Sequence, residues 1–433
     1  MKRLKLLAAA ALMVGTAHAE PYCDALVTGD GLTAKQARSA PIYSDTQSGW
    51  IFTNDQFADR YDMKDSAAAL VGDIIAEFDA RGVPLAILVP PPRPVIAGQA
   101  TLDVAMGGET YDVASAQASF TKLIESLNQL GAIAPDLQAL ALSEPALREA
   151  FYFKRDTHWT TVGAAHSAMA LARLIAKDHP TLFPALPAFS AADLKVSGQI
   201  EEEGALADIA RDACGADLAP ETAPAFDLTS AEGGSLLGDA PARPRIALVG
   251  SSFSDRNRRD EYRVADALAR ALGADVDNYS VSGGGGVGGI ESYVLSGDLD
   301  HGMHDLVIWE LPYTEEFNST SMLRQLLGAL RHGASETASP LPSDDTIADE
   351  SLMQLAALEL DLAGESAHRV KLKMVFENGS KTTVSVTRRG ALTAQAREKN
   401  VFVSLADLTG RTIKELKIEP SNGTQVLEVK AHQ

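Results

Sequence analysis

Short apolar runs alternate with amphipathic stretches over the first three quarters of the chain. Residues 85–89, 246–249 and 306–309 are runs of four or five apolar residues, the first ending in three prolines. Such runs are typical of parallel strands covered on both faces. Between them, residues 161–177 and 261–272 carry apolar side chains at helical spacing, with Thr160 expected to cap the first helix. The alternation predicts an α/β domain built on a parallel sheet.

The pattern changes towards the C-terminus. Residues 333–350 are rich in Ser, Thr, Pro and Asp, which indicates a linker or extended loop. Beyond them apolar residues alternate with period two, as at Val370, Leu372, Met374 and Phe376, and further strand-like runs follow turn signals. Short strands with frequent turns favour a small β-sandwich. We therefore predict an α/β domain over residues 20–335, a linker over 336–350 and a β-sandwich over 351–433.

The N-terminus has the layout of a secretory signal peptide. Three cations precede residue 6, an apolar run covers residues 6–14, and Ala17-His18-Ala19 forms a cleavage pattern. The apolar run is too short to span a bilayer, and no later stretch is long and apolar enough to do so. We predict a signal peptide over residues 1–19 and a periplasmic protein without a transmembrane segment. The alternative is an uncleaved anchor at the membrane interface.

Charge and cysteine content narrow the function classes. The 433-residue chain has a net charge of −20, which argues against nucleic acid as a partner. In an exported protein, Cys23 and Cys214 are expected to form a disulfide, with two free thiols as the alternative. Two cysteines are too few for the common thiolate type of zinc site. We predict neither a metal nor a cofactor.

A candidate nucleophile follows the apolar run 246–249. Residues 250–254 read Gly-Ser-Ser-Phe-Ser, and a serine on a tight turn after a strand exposes its hydroxyl at the carboxyl edge of the sheet. Ser252 is the candidate. The alternative is a plain turn with helix-capping serines.

A candidate base lies earlier in the chain, where residues 156–159 read Asp-Thr-His-Trp just before the predicted helix. A serine hydroxyl needs a positioned base, and histidine has a suitable pKa. Asp156 would hold the ring of His158 in one tautomer and stabilise its charged form. The alternative makes Asp156 a neighbour of the helix N-cap and His158 a packed ring.

A glycine-rich segment supplies candidate oxyanion donors. In residues 282–289, Ser282 is followed by six glycines and one valine. The segment comes directly after a predicted strand over 276–281. The segment lacks the ending of a Walker motif and fits a dinucleotide fingerprint poorly. We expect Gly283 and Gly284 to present amides to an oxyanion, a flexible loop without a role being the alternative. Glu310 and Tyr313, at the end of another strand, would border the site or serve a structural role.

In combination and order, these motifs resemble the alginate O-acetyltransferase family of the AlgX and AlgJ type. Residues 49–52 (Gly-Trp-Ile-Phe), 88–93 (Leu-Val-Pro-Pro-Pro-Arg) and 309–312 (Trp-Glu-Leu-Pro) also resemble segments of that family, and the similarity runs from about Gly49 to Tyr313. The resemblance implies an SGNH-hydrolase-like fold with a triad of Ser252, His158 and Asp156. A carbohydrate-binding β-sandwich after the catalytic domain would match the AlgX arrangement.

The chain departs from typical SGNH hydrolases beside the nucleophile. Ser251 stands where they have aspartate, so the usual Gly-Asp-Ser is absent. Because Ser251 and Ser254 flank Ser252 closely, the sequence leaves open which hydroxyl attacks.

These observations lead to a hypothesis of function. The chain would transfer acetyl groups through an acetyl-serine to an exported polysaccharide, alginate or a similar polymer. The acetyl donor would come from a membrane partner or be a small acetyl ester, and proteins of an export complex would be further partners. The alternatives are a secreted carbohydrate acetylesterase and a non-catalytic polysaccharide-binding scaffold. Two basic clusters could contact an anionic polymer or be solvated faces: Arg256, Arg258, Arg259 and Arg263 near Ser252, and Lys371, Lys373, Lys381, Arg388 and Arg389 in the β-rich part.

Overall fold

The computed structural model describes residues 21–433 except 59, 107–109, 184–185, 229–242, 256–263, 316, 334–336, 343–345, 349–351, 353–354, 364–368, 389, 399, 409 and 422–423. Its strands are β1 (Ile42–Ser44), β2 (Ile51–Thr53), β3 (Leu85–Leu88), β4 (Lys195–Glu202), β5 (Glu221–Asp227), β6 (Arg245–Val249), β7 (Asp275–Asn278), β8 (Leu306–Glu310), β9 (Ser339–Pro340), β10 (Ala357–Leu362), β11 (Arg369–Phe376), β12 (Lys381–Thr387), β13 (Val401–Ser404), β14 (Ile413–Pro420) and β15 (Val426–His432). Its helices are α1 (Asp24–Thr28), α2 (Asp65–Ala80), α3 (Arg93–Ala97), α4 (Gln99–Ala105), α5 (Val113–Gln129), α6 (Leu137–Leu142), α7 (Pro145–Ala150), α8 (Thr161–Asp178), α9 (Ala205–Cys214), α10 (Val264–Leu272), α11 (Gly288–Ser296), α12 (Thr320–His332) and α13 (Ala394–Arg397). The predicted signal peptide lies outside the described residues.

Four strands form a parallel sheet in the order β3-β8-β6-β7. The predicted strands over 85–89, 246–249 and 306–309 are therefore confirmed. The run over 276–281 is shorter than predicted, because only Asp275–Asn278 pairs with β6. Since the strands are parallel, the residues that follow them meet at one edge of the sheet, where open α/β sheets bind their ligands.

The core of this part combines the buried strands with the apolar faces of helices. Every residue of β3 and β8 is buried, as the apolar runs predicted, and the same core includes residues of α2, α5, α8 and α10. Helix α8 begins where the sequence predicts, because Thr160 Oγ1 accepts hydrogen bonds from the amides of Val162 and Gly163. Helix α10 lies within the predicted range 261–272, of which residues 261–263 are not described.

The C-terminal part consists of two antiparallel sheets, β13-β10-β15-β9 and β12-β11-β14, which share one hydrophobic core. The predicted period-two pattern is confirmed on β11, where Val370, Leu372, Met374 and Phe376 are buried while Lys371 and Lys373 are exposed. The segment expected to be a linker contributes to this part. Its strand β9 pairs with β15, and Ile347 bridges to Leu416.

The two parts are in close contact at α12 and β13. A side-chain carbon at Gly328 would lie 2.9 Å from Phe402 Cβ and 3.0 Å from the amide nitrogen of Ser404, so only glycine allows this approach. Gln325 of the same helix accepts a hydrogen bond of 2.8 Å from the amide of Phe402. The β-rich part therefore packs directly against the α/β part.

The predicted disulfide is confirmed between Cys23 and Cys214, which are 191 residues apart. It joins the N-terminal segment to the last residue of α9, and both pack in a small hydrophobic cluster with β1 and β2. Among the helices that the structure describes, none is long and apolar enough to cross a membrane.

Candidate active site

Three neighbouring serines follow β6, and their burial separates them. Ser251 and Ser254 are 3% and 2% exposed, whereas Ser252 between them is partly exposed. The hydroxyls of Ser251 and Ser254 donate to the buried carboxylate of Glu310. Ser252 is thus the serine of this turn that is partly exposed and not bound to Glu310, which supports it over its two neighbours as the nucleophile.

The hydroxyl of Ser252 is joined to two residues from the turn before α8. Ser252 Oγ lies 2.9 Å from His158 Nε2, and His158 Nδ1 lies 2.5 Å from Asp156 Oδ1. With the proton on Nδ1 donated to the carboxylate, Nε2 is left as an acceptor for the serine proton. The three predicted triad residues are therefore brought together in the order serine, histidine, aspartate.

Asp156 is buried and accepts two further hydrogen bonds. Its Oδ1 accepts from the amide of His158 at 2.9 Å, and its Oδ2 accepts from the amide of Ala205 at 2.8 Å. Ala205 is the first residue of α9, where a negative charge is stabilised by the helix dipole. Burial raises the pKa of Asp156, but the charge of His158 and these hydrogen bonds outweigh it and hold the pKa well below its ordinary value. The carboxylate is therefore ionised at neutral pH.

The imidazole of His158 is held in place by aromatic contacts. Its ring meets that of Phe253 edge-on, with the centroids 4.9 Å apart. The indole of Trp159 donates to the carbonyl of Phe253 at 3.1 Å. Gly163 lets α8 approach closely, since a side-chain carbon there would lie 2.4 Å from the carbonyl oxygen of Phe151. These contacts fix the turn that carries His158 against the turn that carries Ser252.

An open cleft of about 250 Å³ leads to Ser252. It is lined by Asp55, Gln56, Thr157, Ser251, Ser252, Phe253, Gly283, Gly285, Pro312, Tyr313, Thr314 and Glu315. Tyr313 thus borders the cleft as expected, with its side chain buried in the wall. Within the described part of the chain, no three His, Cys, Asp or Glu side chains are grouped so that they could hold a metal ion.

The glycine-rich segment lies at the cleft, and one of its two predicted residues lines it. Gly283 lines the cleft as predicted, but Gly284 does not, and the amide of Gly284 is already bound to the carbonyl of Val281 at 2.9 Å. Gly285 lines the cleft in its place, with a φ of 60° that favours glycine. Among the described residues, no acceptor pairs with the amides of Ser252, Gly283 or Gly285. These three amides are therefore the candidate oxyanion donors.

The structure describes most of one predicted basic cluster and none of the other. Arg256, Arg258, Arg259 and Arg263 lie outside the described residues, as does Arg389. Lys371, Lys373 and Lys381 are exposed on the three-stranded sheet. Arg388 does not join them, because it is buried and forms an ion pair of 3.2 Å with Glu291 of α11. Of the members of this cluster that the structure describes, the exposed ones are therefore the three lysines.

Sequence reasoning missed several residues of the site. Asp55 and Gln56 line the cleft but belong to no motif. Arg93 is fully buried, contacts the rings of Trp50 and Phe52, and donates to Gln56 Oε1 at 2.7 Å. An arginine directly after the three prolines at the end of β3 was the available signal. Its position ties the wall of the cleft to the carboxyl end of the sheet.

Residues 45–313 match the family described as "SGNH hydrolase-like domain, acetyltransferase AlgX". The chain is 25% identical to alginate biosynthesis protein AlgX of Pseudomonas syringae pv. tomato over 344 residues, or 77% of this chain and 68% of that protein. It is 27% identical to the probable alginate O-acetylase AlgJ of Pseudomonas aeruginosa, over 61% of this chain and 68% of that protein. The solved structure of Pseudomonas aeruginosa AlgX shares its fold, with a TM-score of 0.70 at 22% identity over 95% of this chain and 99% of that chain.

Proposed function

Because the chain belongs to the family of SGNH hydrolase-like domains of the acetyltransferase AlgX, we propose that it is a polysaccharide O-acetyltransferase acting through an acetyl-serine at Ser252. The observation that carries the proposal is the continuous hydrogen-bonded line from Ser252 through His158 to Asp156, with distances of 2.9 and 2.5 Å. A partly exposed serine beside a base that is oriented by a carboxylate is the arrangement that activates a hydroxyl for acyl transfer.

In the first step, Ser252 Oγ attacks the carbonyl carbon of an acetyl donor while His158 Nε2 takes its proton. The amides of Ser252, Gly283 and Gly285 stabilise the negative charge that develops on the carbonyl oxygen. The tetrahedral intermediate collapses, and His158 gives the proton to the leaving group. The acetyl group then remains as an ester on Ser252.

In the second step, a hydroxyl of the sugar enters the cleft and attacks the acetyl-serine. His158 takes the proton of that hydroxyl and returns it to Ser252 Oγ as the new ester leaves. Water in place of the sugar would make the protein an esterase. The cleft is open, so the outcome depends on how well a bound polymer excludes water.

We propose alginate as the polymer, because relatives over most of the chain are named for alginate biosynthesis and alginate O-acetylation. The C-terminal sheets would act as a carbohydrate-binding β-sandwich. Lys373 and Lys417 are opposite each other on β11 and β14 and share the carboxylate of Glu419. Together with Lys371 on the same exposed strand, they give a cationic surface suited to a polyanion.

The disulfide and the predicted signal peptide support action outside the cytoplasm, and we propose the periplasm. The donor would be presented by a membrane partner or be a small acetyl ester. Proteins of an export complex would bring the polymer to the cleft.

The test is to incubate the purified protein with a chromogenic acetyl ester, with and without an oligomannuronate. The mass of the oligosaccharide is then measured by mass spectrometry. Acetyl gain on the sugar that vanishes in Ser252→Ala is the expected result, and Ser143→Ala, at an exposed serine that does not line the cleft, serves as the control. Ester cleavage without any acetylated sugar would favour the esterase. No turnover that depends on Ser252 would reject the triad and favour a binding scaffold.

A matched pair of variants tests the polymer surface. Lys373→Ala with Lys417→Ala should weaken binding of an alginate oligosaccharide and flatten its salt dependence. Lys177→Ala, an exposed lysine at the end of α8, should leave both unchanged. Equal binding by both variants would remove the sheet surface from the proposal.

A further inference from the structure

Glu310, the last residue of β8, lies directly beneath the turn that carries Ser252. Its side chain is fully buried, and its Oε2 accepts three hydrogen bonds: from the Ser251 amide at 2.8 Å, the Ser251 hydroxyl at 2.9 Å and the Ser254 hydroxyl at 3.2 Å. We propose that Glu310 is a positioning residue for the nucleophile, whose carboxylate fixes Ser251 and Ser254 so that Ser252 points to His158. The inference rests on the proposed function, in which Ser252 attacks the donor.

The carboxylate of Glu310 also determines which backbone amides of the turn remain available to donate to an oxyanion. The Ser251 amide is bound to Glu310, and the Ser251 hydroxyl, held by the same carboxylate, accepts from the amide of Phe253 at 3.2 Å. Within the described residues this leaves the amide of Ser252 without an acceptor. Fixing Ser251 therefore orients both the attacking hydroxyl and a candidate oxyanion donor.

Glycine before the serines makes this contact geometrically feasible. A side-chain carbon at Gly250 would lie 2.6 Å from Glu310 Oε2 and 3.0 Å from Glu310 Cβ. The strand register brings the two together, because Val249 is paired with Trp309 on the neighbouring strand. The carboxylate that typical SGNH hydrolases carry beside the nucleophile is thus replaced here by Ser251 together with a carboxylate from β8.

Glu310 forms no ion pair among the described residues, so its charge is balanced there by hydrogen bonds and not by a bound cation. The titratable groups that face it are His158 and Tyr152. Burial raises the pKa of Glu310 from 4.5 to about 7, against the opposing effect of its hydrogen bonds and of His158. An unpaired buried carboxylate costs stability, and such groups cluster at functional sites. Three groups donate hydrogen bonds to one oxygen of Glu310. This arrangement suits the ionised form, because an ionised carboxylate only accepts hydrogen bonds.

Glu310→Gln tests the proposal because it keeps the shape and removes the charge. The first readout is the rate at which phenylmethylsulfonyl fluoride labels Ser252, followed by intact mass, with Ser252→Ala to identify the site. The second is kcat and KM for a chromogenic acetyl ester from pH 5 to 9. The matched control is Glu291→Gln, since Glu291 is equally buried, has a pKa raised by burial to about 7, and pairs with Arg388 and Gln325 away from the cleft.

We expect Glu310→Gln to lower the labelling rate and kcat by about 10- to 100-fold with KM within about twofold, because the hydroxyl loses its alignment. The fall of wild-type activity below about pH 7 should become less steep in this variant, since one ionisation is gone. Ser251→Ala should lower both rates in the same direction, and it decides the matter if Glu310→Gln does not fold.

Labelling and kcat within twofold of wild type in the folded variant would overturn the proposal. The same holds if Glu291→Gln lowers the labelling rate equally, since the effect would then come from general destabilisation. A wild-type protein that is not labelled at Ser252, with full activity in Ser252→Ala, would instead reject the proposed function itself.

Discussion

Replacing Asp156 by asparagine removes one acceptor from a site that uses both oxygens. The carboxylate accepts three N–H groups, from the His158 ring at 2.5 Å, the His158 amide at 2.9 Å and the Ala205 amide at 2.8 Å. Asparagine offers one oxygen and one NH₂ group. Whichever way the amide turns, its NH₂ group must face a group that is a donor in the native protein.

The two orientations have different consequences. If the NH₂ group faces the His158 ring, Nδ1 must become the acceptor and Nε2 carries the proton, so it cannot take the proton of Ser252. If it faces Ala205, a buried amide is left unpaired, which costs about 1–3 kcal/mol of stability. The wrong tautomer lowers kcat by about 10⁴-fold in a triad of this kind, which corresponds to about 5 kcal/mol of transition-state stabilisation.

The assay is turnover of a chromogenic acetyl ester at pH 8 together with the midpoint of urea unfolding. Asp156→Asn is expected to lose about 10³- to 10⁴-fold in kcat with a smaller change in KM. The matched control is Asp136→Asn, because Asp136 also accepts from a backbone amide, that of Ala139 at 2.8 Å. It caps a helix none of whose residues lines the cleft, and asparagine is as good a cap as aspartate, so activity should not change. A kcat within tenfold of wild type in Asp156→Asn would refute the role of the carboxylate.

Three further predictions concern the scaffold of the site. Replacing Cys23 and Cys214 by serine should lower the free energy of unfolding by up to about 5 kcal/mol, because the bond closes a loop of 191 residues; an unchanged urea midpoint would contradict this. Gly250→Ala should lower kcat at least about tenfold by displacing Glu310, whereas Gly198→Ala, whose new carbon would lie 4.0 Å from its neighbour, should be neutral in the same assay. Because the folded-state pKa of Glu310 is raised from 4.5 to about 7, its stabilising effect is present below pH 4.5 and lost as the pH rises through 7; urea midpoints should therefore fall less across this range in Glu310→Gln than in wild type.

The parallel strands were predictable because their signal is local. A strand that is buried on both faces needs apolar residues at every position, so a short apolar run in the sequence indicates it directly. This is the case for β3 and β8. The pairing of Asp156 with His158 was also predictable, since the two residues lie two positions apart before a capped helix. The sequence also favoured Ser252 among the three serines but left Ser251 and Ser254 open, because burial by a residue from another strand is what separates them.

What the sequence did not reveal depends on contacts between distant segments. The bond from Ala205 to Asp156 links residues 49 positions apart, and the bond from Glu310 to Ser251 links residues 59 positions apart. Both follow from how the elements pack, which has no signature in a single sequence. The strand β9 was likewise missed, because two residues in a Ser- and Pro-rich segment carry no periodicity.

Helix α9 connects the disulfide to Asp156 of the proposed triad. Its last residue, Cys214, is bonded to Cys23, and its first residue, Ala205, donates to Asp156. Cys23 lies only four positions after the predicted cleavage site. In a reducing compartment the helix would lack its covalent attachment, and the carboxylate of Asp156 would be bound to a helix that no disulfide holds in place. We therefore expect full catalytic competence to arise during oxidative maturation, so that the timing of activity is set by where the chain folds.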